Sequence, residues 1–513
     1  MCQSPSRSSG AALSFPHSNV PFVRGRRPHS RLTIRSDTRI SRFLRRPFAL
    51  AAVPLVGLLG CIQAPTRTET VERRPLGREI PVYAAPKNSA LPTHSAKLAD
   101  SEARIEVESA PRRETVNLAD ALSLAMERNP ALASFSWEVR SRQGRATQAG
   151  LLPNPTAQLT IEDFAGSGSL SGFSNSENTL RIAQRIPTAG KRRKGRRAAD
   201  LGTEVAEWEF ESARLRVYAS VARAFANVLA AQEIVALNER LVEVARSSQE
   251  AVSKLVSAGA APSVDQTRAA LEVSAVKVDL KVARRDLKAA QVALVATWDG
   301  DTVAPFVEAK GELGLIEMPP ARDEVRAQID RNPLLKRWQS EIQRSRAVVE
   351  LERARRIPDV TIGAGVRRAE GIDETALVTG ISIPIAIFDR NQGNRTAARA
   401  DLLKAKHELR DARVNLLADL EREYQEWVAR YEEVRELRDS ILPLAEEAYA
   451  GVRAGYGRGL FRNVDVLDSQ RRLFQLRLRE IGALRAYHGA EAAVEGLVGI
   501  ALGSATASNE GTN

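Results

Sequence analysis

Asp465 and Asp468 stand three residues apart at the start of an apolar-periodic run in "GYGRGLFRNVDVLDSQ", Gly455 to Gln470. On a helix that spacing is one face, so the two carboxylates form a patch that attracts cations and repels itself. The plainer role for acids at this place is to favour the positive end of the helix dipole, with Asn463 as N-cap. Other reactive residues are sparse. Of five His, His17 and His29 lie in a basic N-terminal segment. His94, His407 and His488 are far apart, without metal-ligand spacing, and read as surface residues. "GVRAGYGRG" lacks the Lys-Ser/Thr ending of a phosphate loop. "GKRRKGRR", Gly190 to Arg197, has the charge to meet nucleic acid, but a position facing lipid headgroups or a pore suits it better. The chain therefore predicts no enzyme, no metal site, no cofactor and no nucleic-acid partner.

The net charge of +12 is unevenly spread: residues 1–60 hold ten Arg and one acid, about +9, which leaves about +3 for the rest. Basicity is thus mostly a targeting feature. Arg45 and Arg46 precede an apolar stretch from Phe48 to Leu59 that is too short to span a bilayer and reads as an export signal over 1–60. "LLGC", Leu58 to Cys61, resembles a bacterial lipobox. That resemblance implies cleavage before Cys61, covalent lipid on its thiol and new amino group, and, with Ile62 rather than Asp next, sorting to the outer membrane. A buried Cys after an apolar helix is the alternative. Cys2 would leave with the signal, so no disulfide forms within the mature chain.

Residues 61–113, rich in Pro, Thr, Arg and Ala, read as an extended linker. After it the chain repeats itself. Asn129-Pro130 and Asn332-Pro333 are 203 residues apart, as are Pro155 and Pro358, and Val264-Asp265 and Val464-Asp465 are 200 apart. The predicted domains are repeat one over 114–305, a connector over 306–319, repeat two over 320–500 and a disordered tail over 501–513. Each repeat reads as helix, two strands, long helix, glycine break, helix. Leu159 and Ile161, Leu180 and Ile182, Val360 to Val366, and Leu377 to Ile383 alternate oily with polar or small residues, the period of strands with one apolar face. Polar turns join them into hairpins that end at Pro187 and Pro384. Thr203 to Ala258 has no Gly or Pro and predicts a helix of roughly 84 Å, with a coiled-coil seam of small residues. Thr396 to Leu442 is its counterpart. Ser263 to Thr297 and Val464 to Ile481 are the returning arms, with Ser263 as the cap of the first.

Four amphipathic strands cannot close a barrel, and open edges in lipid leave backbone groups unpaired. The strands therefore need partner copies. Over about residues 114–500 the chain resembles an outer-membrane efflux protein of the TolC family. That resemblance implies a mainly α fold with a small membrane β-barrel contribution, in which a homotrimer forms a 12-stranded barrel continued by a periplasmic helical tunnel. It also implies docking on a periplasmic adaptor protein and an inner-membrane pump of the resistance-nodulation-division type. "RIPTAGKR" (Arg185 to Arg192) and "PIAIFDRNQGN" (Pro384 to Asn394) are similar to the CzcC-like and CusC-like branch, which serves heavy-metal cation efflux. In the family, Tyr, Gly and then Val-Asp-Val-Leu-Asp mark the constriction at the periplasmic mouth. Tyr456, Gly459, Asp465 and Asp468 match, with Gly259 and Asp265 at the tip of repeat one. Phe461 stands where the family has a basic residue, and Arg268 replaces the second acid in repeat one. A lipid-anchored periplasmic coiled-coil scaffold or adaptor is the competing reading; it leaves the four alternating strands without a role.

Overall fold

The computed structural model describes residues 82, 84, 114–298 and 308–500. The signal segment, Cys61, nearly all of the linker, and the tail lie outside the described residues.

The elements run β1 (Thr115–Asn117), α1 (Leu118–Arg128), α2 (Pro130–Ala149), β2 (Thr156–Glu162), β3 (Glu177–Ile186), α3 (Lys191–Ser257) and α4 (Ser263–Val295) in repeat one. Then follow β4 (Glu308–Lys310), α5 (Arg322–Ala327), α6 (Pro333–Arg355), β5 (Val360–Ala369), β6 (Glu374–Ser382), α7 (Gln392–Glu436), a π-turn over Leu437–Ile441, α8 (Leu442–Tyr456) and α9 (Asn463–Val498). The order expected within each repeat is present twice.

Both Asn-Pro landmarks begin a helix in the same way. Asn129 and Asn332 are N-caps with Pro at the first helical position, where its missing N–H costs nothing. Each Asn oxygen accepts from the first-turn backbone of its own helix. Each amide nitrogen donates to the far end of the returning arm of its repeat, Asn129 to the Thr297 carbonyl at 2.6 Å and Asn332 to the Leu497 carbonyl at 2.5 Å. One side chain thus starts one helix and ties down the end of another. Asn332→Ala should lower stability by about 1–3 kcal/mol, the sum of a cap and a hydrogen bond. Asn332→Asp keeps the cap but not the donor, and should recover about half of that loss in thermal melts of the purified protein.

Several boundaries differ from expectation. α3 starts at Lys191, not Thr203, because Gly195 and Gly202 are absorbed inside it; at 67 residues it is about 100 Å long. Gly202 is buried against the Arg344 side chain of α6, so packing outweighs the glycine penalty. The second long helix does not stop at Leu442. Pro443 cannot donate to an α-helical bond and its ring crowds the preceding turn; the π-turn just before it takes up the misfit, and helix continues to Tyr456. The returning arm α9 runs past Ile481 to Val498.

The predicted connector is not a plain link. β4 lies within it and pairs in parallel with β1, Val116 opposite Ala309. Gln232 of α3 bonds both backbone groups of Ala309, at 2.9 and 3.1 Å. Farther along, the Tyr487 hydroxyl accepts from the Glu317 N–H and donates to its carbonyl. Arg438, inside the π-turn, reaches the Gly314 carbonyl at 2.7 Å and Glu480 at 2.8 Å. His488 is no surface residue: it bonds the Leu313 carbonyl and Glu491 and stacks edge-on against Tyr487. The largest buried cluster, which includes Val221, Phe225, Leu294, Trp298, Leu437 and Leu484, packs α3, α4 and α9 around this waist.

Candidate functional site

Two regions carry the functional geometry, a sheet and a pair of helical tips. The sheet has four antiparallel strands in the order β2-β3-β5-β6, so β2 and β6 are open edges. Register puts Leu159 opposite Leu180, Leu180 opposite Val366, and Val366 opposite Leu377, an apolar row across all four strands. These side chains are exposed, Leu377 at 86%. The opposite face carries Gln158, Arg181, Gly365 and Val378 in one row, and Thr160, Thr179, Arg367 and Ala376 in another. A sheet with an uncovered apolar face and two open edges is incomplete in water and equally so in lipid.

The sheet joins the helices through Asp359, just before β5. Its carboxylate takes the Thr188 N–H at 3.2 Å, the Lys191 ammonium at 2.5 Å and Arg185 at 3.5 Å, while the Thr188 hydroxyl donates to the Pro358 carbonyl. "RIPTAGK" is therefore a junction: its cations are partly consumed by one acid of the second repeat. Most of "GKRRKGRR" is the first two turns of α3 rather than a turn before it, and Arg192, Arg193, Arg196 and Arg197 are exposed there.

At the other end of the helices the two tips share one backbone design. Gly259 and Gly459 have φ of 72° and 75°, the left-handed conformation that glycine enters without a Cβ clash. Ala260 N–H bonds the Leu255 carbonyl and Gly259 N–H the Val256 carbonyl; Leu460 with Gly455 and Gly459 with Tyr456 repeat the pattern 200 residues on. This is the Schellman arrangement that closes a helix C-terminus.

The helix starts after the tips differ from the expected caps. Ser263 and Asn463 are the first helical residues, and the N-cap positions are Pro262 and Arg462, with no side-chain cap bond at either. Asn463 turns inward instead: it is 3% exposed, and its amide oxygen and nitrogen have no partner, nor do those of Gln470, two turns on. Asp465 takes over the helix start by accepting the Arg462 backbone N–H at 2.9 Å. Asp468 stands exposed one turn on, where its charge helps to keep Arg471 protonated, after the stronger effect of Glu272. The paired acids thus divide, Asp465 to the backbone and Asp468 to the surface. In repeat one Arg268 pairs with Asp265 at 3.3 Å.

Across the tips, Tyr456 lies close enough to Asp265 that the acid's charge adds to burial in raising the phenol pKa. Phe461 folds back on Gly455, where an added Cβ would clash with its ring, so this side chain packs on its own tip. The tie that sequence reasoning missed is Arg471 of α9 with Glu272 of α4. The guanidinium meets both carboxylate oxygens, with Nε to Oε1 at 3.3 Å, and the Glu272 side chain is only 8% exposed. Their spacing of 199 residues, close to the repeat offset, was the available signal. Among the described residues no group of three or more His, Cys, Asp or Glu is placed to hold a metal ion.

An incomplete amphipathic sheet set on long helical hairpins with closed tips defines the protomer of a membrane channel. The chain belongs to the outer membrane efflux protein family, whose model matches residues 121–300 and 325–500. It is 32% identical over 384 residues to the cobalt-zinc-cadmium resistance protein CzcC of Cupriavidus metallidurans, a match covering 75% of this chain and 90% of that protein. Among solved structures it is similar to the CmeC outer membrane channel of Campylobacter jejuni, with a TM-score of 0.64, 14% identity, and coverage of 76% of this chain and 86% of that one. A membrane protein from Pseudomonas aeruginosa gives a TM-score of 0.65 at 19% identity, covering 74% and 92%. The protein is an outer-membrane efflux channel component with a periplasmic helical tunnel, a conduit and not an enzyme.

Proposed function

We propose that three copies of this chain close a 12-stranded barrel, dock through their helical tips on a periplasmic adaptor and a resistance-nodulation-division pump, and pass heavy-metal cations out of the cell. The observation that carries this reading is the sheet: its apolar row faces outward unpaired, and its β2 and β6 edges need neighbours. Three four-stranded sheets supply an even strand number within the range of outer-membrane barrels. The metal cargo is favoured by likeness to the cobalt-zinc-cadmium resistance protein. Selection among cations then lies with the pump, and the conduit acts by passage. Lipid on Cys61 would hold the chain to the outer-membrane lipid ahead of the barrel.

The tips form the gate in this reading. Tyr456 and Gly459 shape the turn of repeat two, Gly259 and Asp265 that of repeat one, and Asp465 and Asp468 of three copies place six carboxylates near the axis. Such a ring draws cations and strains its own closure. Because Asp465 is engaged by backbone and Asp468 is exposed, Asp468 carries most of the field. In planar bilayers Asp468→Ala should raise conductance and weaken block by multivalent cations, and Asp465→Ala should do so less. If neither variant changes conductance or block, both acids are helix-start chemistry only. A soluble periplasmic species after removal of the lipid would favour the scaffold instead.

A further inference from the structure

We propose that Arg181, laid flat on a glycine floor in the barrel wall, gives the middle of the membrane segment one level attractive to small anions, opposite in sign to the tip and to the acid row at the turn end. The inference rests on the trimeric-channel reading, which turns the polar face of the sheet into the lumen.

The lumenal face can be read residue by residue from the register. Its charged members are Glu162, Glu177, Arg181, Arg185, Arg367 and Glu374. Glu162, Glu177 and Glu374 fall in one row at the hairpin-turn end, where Arg367 pairs with Glu177 at 3.1 Å. Arg185 sits at the helix end and pairs with Asp359 at 3.5 Å. Between the turn end, where three acids face one Arg, and the Asp359 junction, the lumenal face of the strands holds one charge, Arg181. Four residues of strand, about 13 Å, separate it from the Glu177 row, and six residues, about 20 Å, from the level of Asp359. Neither acid can pair with it.

The side chain's immediate surroundings are backbone. Its Nη2 donates to the Gly380 carbonyl at 3.4 Å, and its Nε is buried without a partner. Gly363 and Gly380 face each other across β5 and β6, and a Cβ at either would lie 2.8 Å from Nη2. Both glycines therefore have a steric duty: they let a long cationic side chain lie along the wall instead of projecting into the pore. Three copies place three guanidiniums at one height of the lumen. A planar guanidinium with unused donors suits carboxylate and phosphate oxygens, and a ring of Arg is the usual form of an anion-preferring pore.

The test is single-channel recording of the full-length trimer with citrate added on the barrel side, which reaches Arg181 without passing the tip. Citrate should block the wild type in a voltage-dependent manner, and Arg181→Gln should weaken that block several-fold. Gly363→Ala should lower conductance by pushing the guanidinium off the wall, and Arg181→Ala in the same chain should restore it. Absence of citrate block in the wild type, or block unchanged in Arg181→Gln, overturns the anion preference. Loss of conductance in Gly363→Ala that persists with Arg181→Ala overturns the glycine floor. If the wild type forms no channels, the trimeric-channel reading itself falls, and this inference with it.

Discussion

Leu180→Arg should remove the heat-modifiable trimer from outer-membrane fractions, whereas Thr160→Arg, on the neighbouring strand, should leave it in place. Leu180 occupies the centre of the apolar row that runs from Leu159 through Val366 to Leu377. It is 51% exposed in the single chain, with no protein over it. An Arg on the lipid face of an outer-membrane barrel costs about 2–4 kcal/mol near the midplane, and threefold assembly incurs that cost three times. Thr160 belongs to the opposite face, opposite Thr179 and diagonal to both Glu177 and Arg181, where a new cation meets water, and the nearby carboxylate offsets the nearby guanidinium. Equal recovery of both trimers would mean that the row does not face lipid, and the barrel assignment would fail.

That strand faces can be assigned so sharply from sequence has a physical cause. A side chain in a membrane strand meets hydrocarbon or water by turns, so Leu159, Ile161, Leu180 and Ile182 had to alternate with polar residues, and no helical periodicity competes with that signal. The Asn-Pro landmarks were legible for a similar reason: cap and first-turn chemistry is local. What escaped the sequence depends on distant contacts. Gly195 and Gly202 looked like punctuation before α3, yet helix runs through both, Gly195 beside Ala149 of α2 and Gly202 against Arg344 of α6. The π-turn before Pro443 extends a helix that local rules would end. β4 is three residues long and owes its existence to β1, nearly two hundred residues away. At the tip, Asn463 has the right type for a cap, but its side chain is buried, and Asp465 is left to do that work.

The same burial bears on how the tip opens. Asn463 and Gln470 bury four polar atoms without partners on one face of α9, and each such group carries a desolvation penalty of about 1–3 kcal/mol. A tip that opens and admits water relieves that penalty, so the closed form is held against it by specific ties, and Arg471 with Glu272 is a tie that joins α9 to α4. The two ends of this tie are not equivalent. Arg471 is 58% exposed and lies beside Asp468, so it keeps water and a second acid when Glu272 is neutralised. Glu272 is 8% exposed, and without Arg471 it is a buried carboxylate with its main counter-ion gone. Removing one partner of a buried pair costs far more than the pair contributes. Arg471→Gln should therefore open the tip more than Glu272→Gln does, seen as a larger rise in single-channel conductance and earlier proteolysis at Gly457–Gly459. The double substitution should fall back towards Glu272→Gln alone, because it leaves no unpaired charge inside. Equal effects of the two single variants would show that the pair contributes only attraction, and that burial of Glu272 has no part in gating.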